Sequence, residues 1–297
     1  MQKPTAAHSE PSIQGHHRPI GLFASGPVMA FSRVWRIGAT GLSFVLFGLF
    51  SVLIAITAMP LLRIYPGTRQ EKEIRSQRAL HWVLRGYLRT LELLQVGRFT
   101  SVGGEKLRRP GQLVVANHPS LLDVVLLISL MPQADCVIKG SYISHPQLGG
   151  AVRGAGFIPN WDGPELVDAC VERLIQGRSL IIFPEGTRSP VGELGRFARG
   201  AAHIALRSGR DLIPVTIRCD PATLYRGIPW WDVPRRMFTL SASVGDPILV
   251  KDLVSPSMSP ALAARAVTSG VRKHFESELA APGEPSREQD APISDSA

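Results

Sequence analysis

Apolar residues follow different patterns along this chain and divide it into regions. From residue 37 to residue 62 no side chain is charged, and residues 42–59 are dense in Leu, Phe, Val and Ile. A helix of that length can span the hydrocarbon core of a bilayer. In residues 74–96, apolar residues recur at helical spacing among arginines. This second pattern predicts an amphipathic helix that lies on a bilayer or packs on the following domain, and periodicity does not separate the two.

After Gly103 and Gly104 the chain alternates between short apolar runs and helical patterns. The runs typical of strands cover residues 112–116, 136–139, 179–183, 212–217 and 238–244. Helices are predicted from the capping residue Asp162 and Pro164 to Gly177, at residues 197–207 and at residues 260–279. This alternation predicts an α/β domain, a layered mixed sheet flanked by helices, that follows an N-terminal membrane-binding helical region.

Composition completes the predicted domain organisation. Residues 1–36, rich in His, Pro, Gly and Ser, are predicted to be a flexible N-terminal tail, and residues 37–98 are predicted to be membrane-anchoring or interfacial helices. Residues 99–280 are predicted to form the globular domain, and residues 281–297 are predicted to be a disordered tail.

Positive charge is concentrated beside the apolar run. The chain carries a formal charge of +9, and residues 63–109 hold eleven Lys and Arg against four Glu, an excess of seven. A basic block next to an apolar run favours an anionic membrane surface over nucleic acid, for which no motif is present, although a solvated basic face is the alternative. The three cysteines are widely spaced in apolar segments, which predicts buried thiols in a reducing compartment.

The flanking charges also predict an orientation. Two arginines precede the apolar run, whereas five cations follow it within residues 63–78. This asymmetry places the C-terminal side in the cytoplasm, with the protein in the inner (cytoplasmic) membrane. A re-entrant or in-plane helical hairpin is the alternative, because Pro60 and Pro66 would suit a break.

A histidine and an aspartate follow the first predicted strand of the globular domain. His118 leaves the strand, and Asp123 comes five residues later, where a helix begins. A carboxylate that holds an imidazole makes the histidine a directed base, although Asp123 could instead cap the helix. No second ligand stands at metal spacing from His118, which argues against zinc.

A second polar turn follows the strand at residues 179–183. Residues 183–189 read Phe-Pro-Glu-Gly-Thr-Arg-Ser. The planar fork of Arg188 suits phosphate oxygens, and Gly186 lets backbone approach closely, so this turn predicts an oxyanion or phosphate site. The alternative is a surface turn with a weak Glu–Arg pair.

Together these motifs resemble those of the glycerolphosphate and lysophosphatidic acid acyltransferases. The first motif of that family, Asn-His-four residues-Asp, matches Asn117, His118 and Asp123, and its Phe-Pro-Glu-Gly-Thr-Arg-Ser motif matches residues 183–189 without substitution. A proline-containing strand at residues 212–215 and a lysine at Lys139 are also similar to the family. The resemblance covers about residues 113–250.

One family motif departs from the pattern. The family commonly has Gly-x-x-Phe-Ile-Asp-Arg, whereas residues 154–160 end in Ile-Pro-Asn and lack both the aspartate and the arginine. Arg153 or Trp161 could shape the acceptor pocket instead, and the acceptor could be an aminolipid or another specialised lysolipid.

The resemblance implies an O-acyltransferase of phospholipid synthesis that needs no cofactor. Acyl-CoA or acyl-carrier protein is the expected donor, and a lysophospholipid, most directly 1-acyl-sn-glycerol-3-phosphate, the acceptor. His118 is the expected base oriented by Asp123, and the expected substrate-binding residues are Asn117, Lys139, Glu185, Gly186, Thr187 and Arg188. Arg188 and Lys139 would hold the phosphate, and Glu185 would either bond an acceptor hydroxyl or position Arg188. A non-catalytic lipid-binding protein and a hydrolase are the alternatives from other classes.

Overall fold

The N-terminal part of the structure is helical. The computed structural model describes residues 26–160 and 163–281, and side chains from residue 33 onward. Helix α1 (Gly26–Ile56) starts upstream of the predicted position at residue 37 and is followed by the short helix α2 (Ala58–Ile64). Within the described residues, the stretch Arg33–Ile64 has the length and apolar composition needed to cross a membrane. The helix breaks at Thr57, which places Pro60 in the first turn of α2. Proline is tolerated there because the backbone N–H groups of a first turn have no partner within the helix.

Helix α3 (Arg69–Leu93) packs on the globular domain. It begins with a capping box in which the Glu71 N–H donates to the Thr68 hydroxyl and the Thr68 N–H donates to the Glu71 carboxylate. Its buried face includes Leu80, Leu88 and Leu91. The packing alternative therefore describes this helix, with Trp82 left on its exposed face.

A seven-stranded mixed sheet forms the centre of the described domain. The strands are β1 (Gly97–Val102), β2 (Leu113–Ala116), β3 (Asp135–Lys139), β4 (Ile158–Asn160), β5 (Leu180–Ile182), β6 (Leu212–Asp220) and β7 (Phe238–Val244). Their order is β1-β7-β6-β2-β5-β3-β4, and every neighbouring pair is parallel except β6 and β7. The five predicted strands are present, so the predicted α/β class is confirmed. Strands β1 and β4 had not been predicted.

Helices cover both faces of this sheet. They are α4 (Asp123–Leu130), α5 (Gly149–Ala155), α6 (Pro164–Ile175), α7 (Gly200–Ser208), α8 (Val250–Leu253) and α9 (Pro260–Ala280). One buried apolar cluster joins the sheet to α3 and α4, and a second joins it to α6, α7 and α9. The predicted helices at residues 164–177, 197–207 and 260–279 correspond to α6, α7 and α9. The predicted cap Asp162 lies outside the described residues.

All three cysteines are free and buried, as predicted. Burial raises the pKa of Cys136, Cys170 and Cys219 to about 12 in each case, which keeps these thiols protonated near neutral pH.

A buried ionic cluster fixes α3 against the amino ends of β3 and β5. The Arg178 guanidinium donates to Glu73 of α3 at 2.7 Å and to Asp135 of β3 at 2.5 Å. Arg173 and Arg69 also contact Glu73, at 2.5 Å and 3.0 Å. Burial opposes ionisation of Glu73, but its bonds to these arginines outweigh that effect and lower its pKa. These polar side chains therefore hold the first part of α3 at the amino ends of the parallel strands, which is the edge of the sheet opposite their carboxyl ends.

Glycines let the N-terminal helices approach α5 closely. A Cβ on Gly150 would overlap Ala55 of α1, and one on Gly154 would overlap Met59 of α2. Both glycines therefore serve helix packing, which docks the apolar N-terminal stretch on the globular domain.

Candidate active site

The first motif stands at the carboxyl end of β2, where Asn117 joins the chain to β6. Its amide group donates to the Ile217 carbonyl at 2.8 Å and accepts from the Ile217 N–H at 2.7 Å. Asn117 is buried, so its side chain continues the strand pairing in place of backbone. This contact positions the residue that follows, and it engages the side chain that the sequence assigned to substrate binding.

His118 and Asp123 are in direct contact, as their spacing predicts. His118 Nδ1 lies 2.8 Å from Asp123 Oδ2, and the Ser120 N–H donates to the same oxygen at 2.7 Å. Because a carboxylate only accepts, this geometry assigns the proton to Nδ1 and leaves the Nε2 lone pair available. Asp123 is the first residue of α4, whose N-cap is Leu122, so the alternative that Asp123 caps this helix is wrong.

Burial controls the charge of Asp123. The residue is fully buried, and this burial raises its pKa to about 6 against the lowering effect of the bonds from His118 and Ser120. Near neutral pH the carboxyl group is therefore mainly ionised and can stabilise an imidazolium beside it.

Phe183 and the turn that follows it, up to residue 189, fix the position of His118. The Phe183 ring stacks on the imidazole, with centroids 4.3 Å apart and an interplanar angle of 30°. The Glu185 carboxylate accepts from the His118 N–H at 2.9 Å, and the Ser189 N–H donates to the His118 carbonyl at 2.8 Å. Both backbone polar groups of His118 are therefore held by this one turn. The sequence did not identify this function for Phe183 or Ser189.

Glu185 is occupied by contacts within the protein. Its second carboxylate oxygen accepts from the Ser189 hydroxyl and from the Gly195 N–H, each at 2.7 Å. The structure thus joins Glu185 to His118, Ser189 and Gly195, whereas the sequence favoured an acceptor hydroxyl or Arg188 as its partner.

Arg188 connects the same turn to the 221–237 loop between β6 and β7. Its Nη1 donates to the carbonyls of Leu224 and Tyr225, at 2.8 Å and 3.5 Å. The Leu121 N–H donates to the same Leu224 carbonyl at 3.3 Å, so both motifs meet at this peptide. The other guanidinium nitrogens of Arg188 have no hydrogen-bond partner among the described residues and remain available for an anion.

The remaining predicted residues lie along the same edge of the sheet. Because β2, β5 and β3 are parallel neighbours, His118, the 183–189 turn and Lys139 all lie at the carboxyl ends of adjacent strands. Gly186 and Thr187 are exposed on the turn, and Gly186 has a φ of +66°, which favours glycine. Lys139 is exposed and pairs in register with Asn160 of β4.

The motif that departs from the family pattern, residues 154–160, forms the end of α5 and the edge strand β4. Asn160, at the position where the family commonly has arginine, is the register partner of Lys139. Arg153 donates to the Ile143 carbonyl and thus contributes to the fold around α5. Trp161, the other residue considered for the pocket, lies outside the described residues.

The comparisons with known proteins agree with this arrangement. Residues 98–218 match the family model described as Acyltransferase. Over 108 residues the chain is 37% identical to the chloroplastic 1-acyl-sn-glycerol-3-phosphate acyltransferase LPAT1 of Arabidopsis thaliana, covering 35% of this chain and 30% of that protein. It is 35% identical over 132 residues to the 1-acyl-sn-glycerol-3-phosphate acyltransferase of Helicobacter pylori, covering 40% of this chain and 56% of that protein. The matched regions thus span 30% and 56% of the length of these two relatives.

A solved structure has the same fold. The crystal structure of the 1-acyl-sn-glycerophosphate (LPA) acyltransferase PlsC from Thermotoga maritima is similar with a TM-score of 0.56 and 19% identity, covering 86% of this chain and 98% of that one. The comparisons thus agree on two points: residues 98–218 are similar to the family model described as Acyltransferase, and the described domain shares the fold of that solved structure.

Proposed function

We propose that this protein transfers an acyl group from a thioester to the free hydroxyl of a lysophospholipid, with His118 as general base. The observation that carries the proposal is the 2.8 Å contact between His118 Nδ1 and a fully buried Asp123. The relatives that the chain matches are named as acyltransferases of 1-acyl-sn-glycerol-3-phosphate. That lysolipid is therefore the acceptor we propose first, and phosphatidic acid is its product.

The chemistry follows from the free nitrogen of the imidazole. Nε2 takes the proton of the acceptor hydroxyl while that oxygen bonds to the thioester carbonyl carbon. The tetrahedral intermediate then expels the thiolate as the C–S bond breaks, and the proton on Nε2 passes to the sulfur. Asp123 accepts the hydrogen bond from Nδ1–H throughout and stabilises the imidazolium. No protein nucleophile is needed, so transfer is direct.

In this proposal two cations, Arg188 and Lys139, hold the phosphate of the acceptor. Arg188 keeps two nitrogens without a partner among the described residues, and Lys139 has no ion pair among them. Since Lys139 pairs in register with Asn160, it supplies positive charge beside the position where the family motif commonly has arginine. This supports a phosphate-bearing acceptor. The replaced motif equally supports an acceptor with a different headgroup, which is the second candidate.

The N-terminal helices support action at a membrane. The stretch Arg33–Ile64 is apolar, and Val45, Leu49 and Ile56 are among its exposed side chains. We propose that it anchors the protein to the cytoplasmic membrane with the active site on the cytoplasmic side, where either acyl-CoA or acyl-carrier protein is the donor.

The test is a product assay with purified protein in lipid vesicles. Each donor is offered with a panel of lysolipids that differ in headgroup, and the lipid products are separated. Diacyl product is expected, and His118→Ala should lower kcat/KM by about 10²–10⁴-fold. His145→Asn is the matched control, because His145 Nδ1 only accepts from two backbone N–H groups of its own loop.

Each other outcome identifies a different function. Free fatty acid without diacyl product would indicate a hydrolase, and lipid binding without turnover would indicate a lipid-binding protein. Full activity in His118→Ala would disprove the assignment of the base.

A further inference from the structure

An arginine outside the matched domain contacts the loop that follows the motif at residues 183–189. Arg272 lies on α9, and its Nη1 donates to the Gly195 carbonyl at 2.8 Å. The same guanidinium lies over the Phe197 ring at 5.8 Å, and its Nε contacts Glu276 at 2.7 Å. Arg272 therefore fixes this loop to the C-terminal helix.

Gly195 links Arg272 to Glu185. While its carbonyl accepts from Arg272, its N–H donates to Glu185 Oε2 at 2.7 Å. A Cβ on Gly195 would overlap that carboxylate, so the missing side chain is what allows Glu185 to approach. The peptide groups on both sides of Gly195 are thus held in place.

Glu185 then links Gly195 to His118, the candidate base. Its other oxygen accepts from the His118 N–H at 2.9 Å. The path from Arg272 through Gly195 and Glu185 to His118 therefore consists of three hydrogen bonds of 2.7–2.9 Å. Each bond involves a charged partner, which makes it stronger than a bond between neutral groups.

We propose that Arg272 is a positioning residue that sets the place of His118 through Gly195 and Glu185. The proposal rests on the proposed function of His118 as the base. Packing of α9 does not depend on this contact, because Val267, Val271 and Phe275 of the same helix are buried in the apolar cluster beneath it. Arg272 itself is partly exposed, with 37% of its side chain accessible.

The experiment removes the donor and keeps the packing. Arg272→Met retains a long side chain over Phe197 but cannot donate to Gly195. We expect kcat to fall about tenfold with an unchanged KM for both substrates, since small displacements of a catalytic group are costly to the rate. Two controls are Glu276→Gln, which removes only the ion pair of Arg272, and Arg207→Met, which removes an exposed ion pair between Arg207 of α7 and Asp168 of α6.

A double-mutant cycle separates positioning from simple structural damage. If Arg272 acts through Glu185, Arg272→Met should cause no further loss of kcat in the Glu185→Gln background. The same loss in both backgrounds, or an unaltered kcat in the single variant, would overturn the proposal.

Hydrogen exchange of the His118 amide provides a readout that does not depend on activity. Because that N–H donates to Glu185, Arg272→Met should increase its exchange, while Arg207→Met should not. If the wild-type protein transfers no acyl group but this exchange increases, the proposed function fails and the link from Arg272 stands. Unchanged exchange at His118 would exclude the link itself.

Discussion

Replacing Arg178 tests the buried ionic cluster. In Arg178→Met a similar volume remains, but Asp135 and Glu73 lose a guanidinium that is almost completely buried between them. Glu73 keeps Arg69 and Arg173, so the main cost falls on Asp135, which is fully buried. Among the described residues, its carboxylate then keeps a hydrogen bond only from the amide of Gln77.

The size of the effect follows from the burial of both partners. Removing one partner of a buried pair costs about 3–5 kcal/mol, because the other charge stays desolvated. For a domain of this size each kcal/mol lowers the unfolding temperature by about 2–4 °C, so we expect a fall of roughly 6–20 °C. Arg173→Met should cost clearly less, because Arg173 is partly exposed and Glu73 would keep two arginines.

The pH dependence of this loss has a definite sign. Burial already raises the pKa of Asp135, and removal of Arg178 should raise it further. The folded variant then binds a proton more tightly than the unfolded chain does, so its relative stability should increase as the pH falls. Thermal unfolding in detergent, followed by tryptophan fluorescence at about pH 8 and about pH 5, measures both effects.

Asp135→Asn in the Arg178→Met background should recover part of the lost stability, because it replaces the unpaired carboxylate by a neutral amide. The reasoning is refuted if Arg178→Met is no less stable than Arg173→Met, or if the second substitution recovers nothing.

Three further predictions concern the active site and the N-terminal helices. The initial-rate profile of kcat/KM should fall as the pH drops through about 6, where Asp123 takes up a proton and stops accepting from the imidazole, and a flat profile would contradict this. Asn117→Ala should cost about 1–3 kcal/mol for each of the two backbone groups of β6 left without a partner, and unfolding at wild-type temperature would contradict it. Gly150→Ala should lower the free energy of unfolding by about 1–3 kcal/mol, because the added methyl group overlaps Ala55, whereas Gly140→Ala adds a methyl group in open space and should not. Adding Ala55→Gly to Gly150→Ala should restore stability in thermal unfolding, and no recovery would contradict the role of this contact.

Glu185 shows which part of the site the sequence leaves open. Polar residues at the ends of apolar runs indicate where His118 and Glu185 leave the sheet, and the spacing to Asp123 predicts a local contact. The partners of this partly buried carboxylate are set by tertiary structure, and the loop that brings Gly195 to Glu185 is held by Arg272 of α9. Local patterns carry no signal for such a contact.

The same limit applies to the fold. Apolar periodicity predicts the five long or strongly apolar strands, but β4 has three residues, includes Pro159, and exists only as an edge partner of β3. On α3 the buried face includes Glu73, Gln77 and His81, which a hydrophobic pattern would assign to solvent. Their burial depends on Arg178 and other groups distant in sequence.

The double hydrogen bond between Asn117 and Ile217 has a consequence for biosynthesis. The two residues are a hundred positions apart, and the Leu224 carbonyl that holds Arg188 lies further along the chain, beyond β6. A nascent chain whose emerged part ends before β6 already contains both sequence motifs, yet it lacks the strand and the loop that arrange them. The residues that we assign to catalysis are therefore synthesised early but reach their working geometry late, because loops must close over long stretches of chain before these contacts can form.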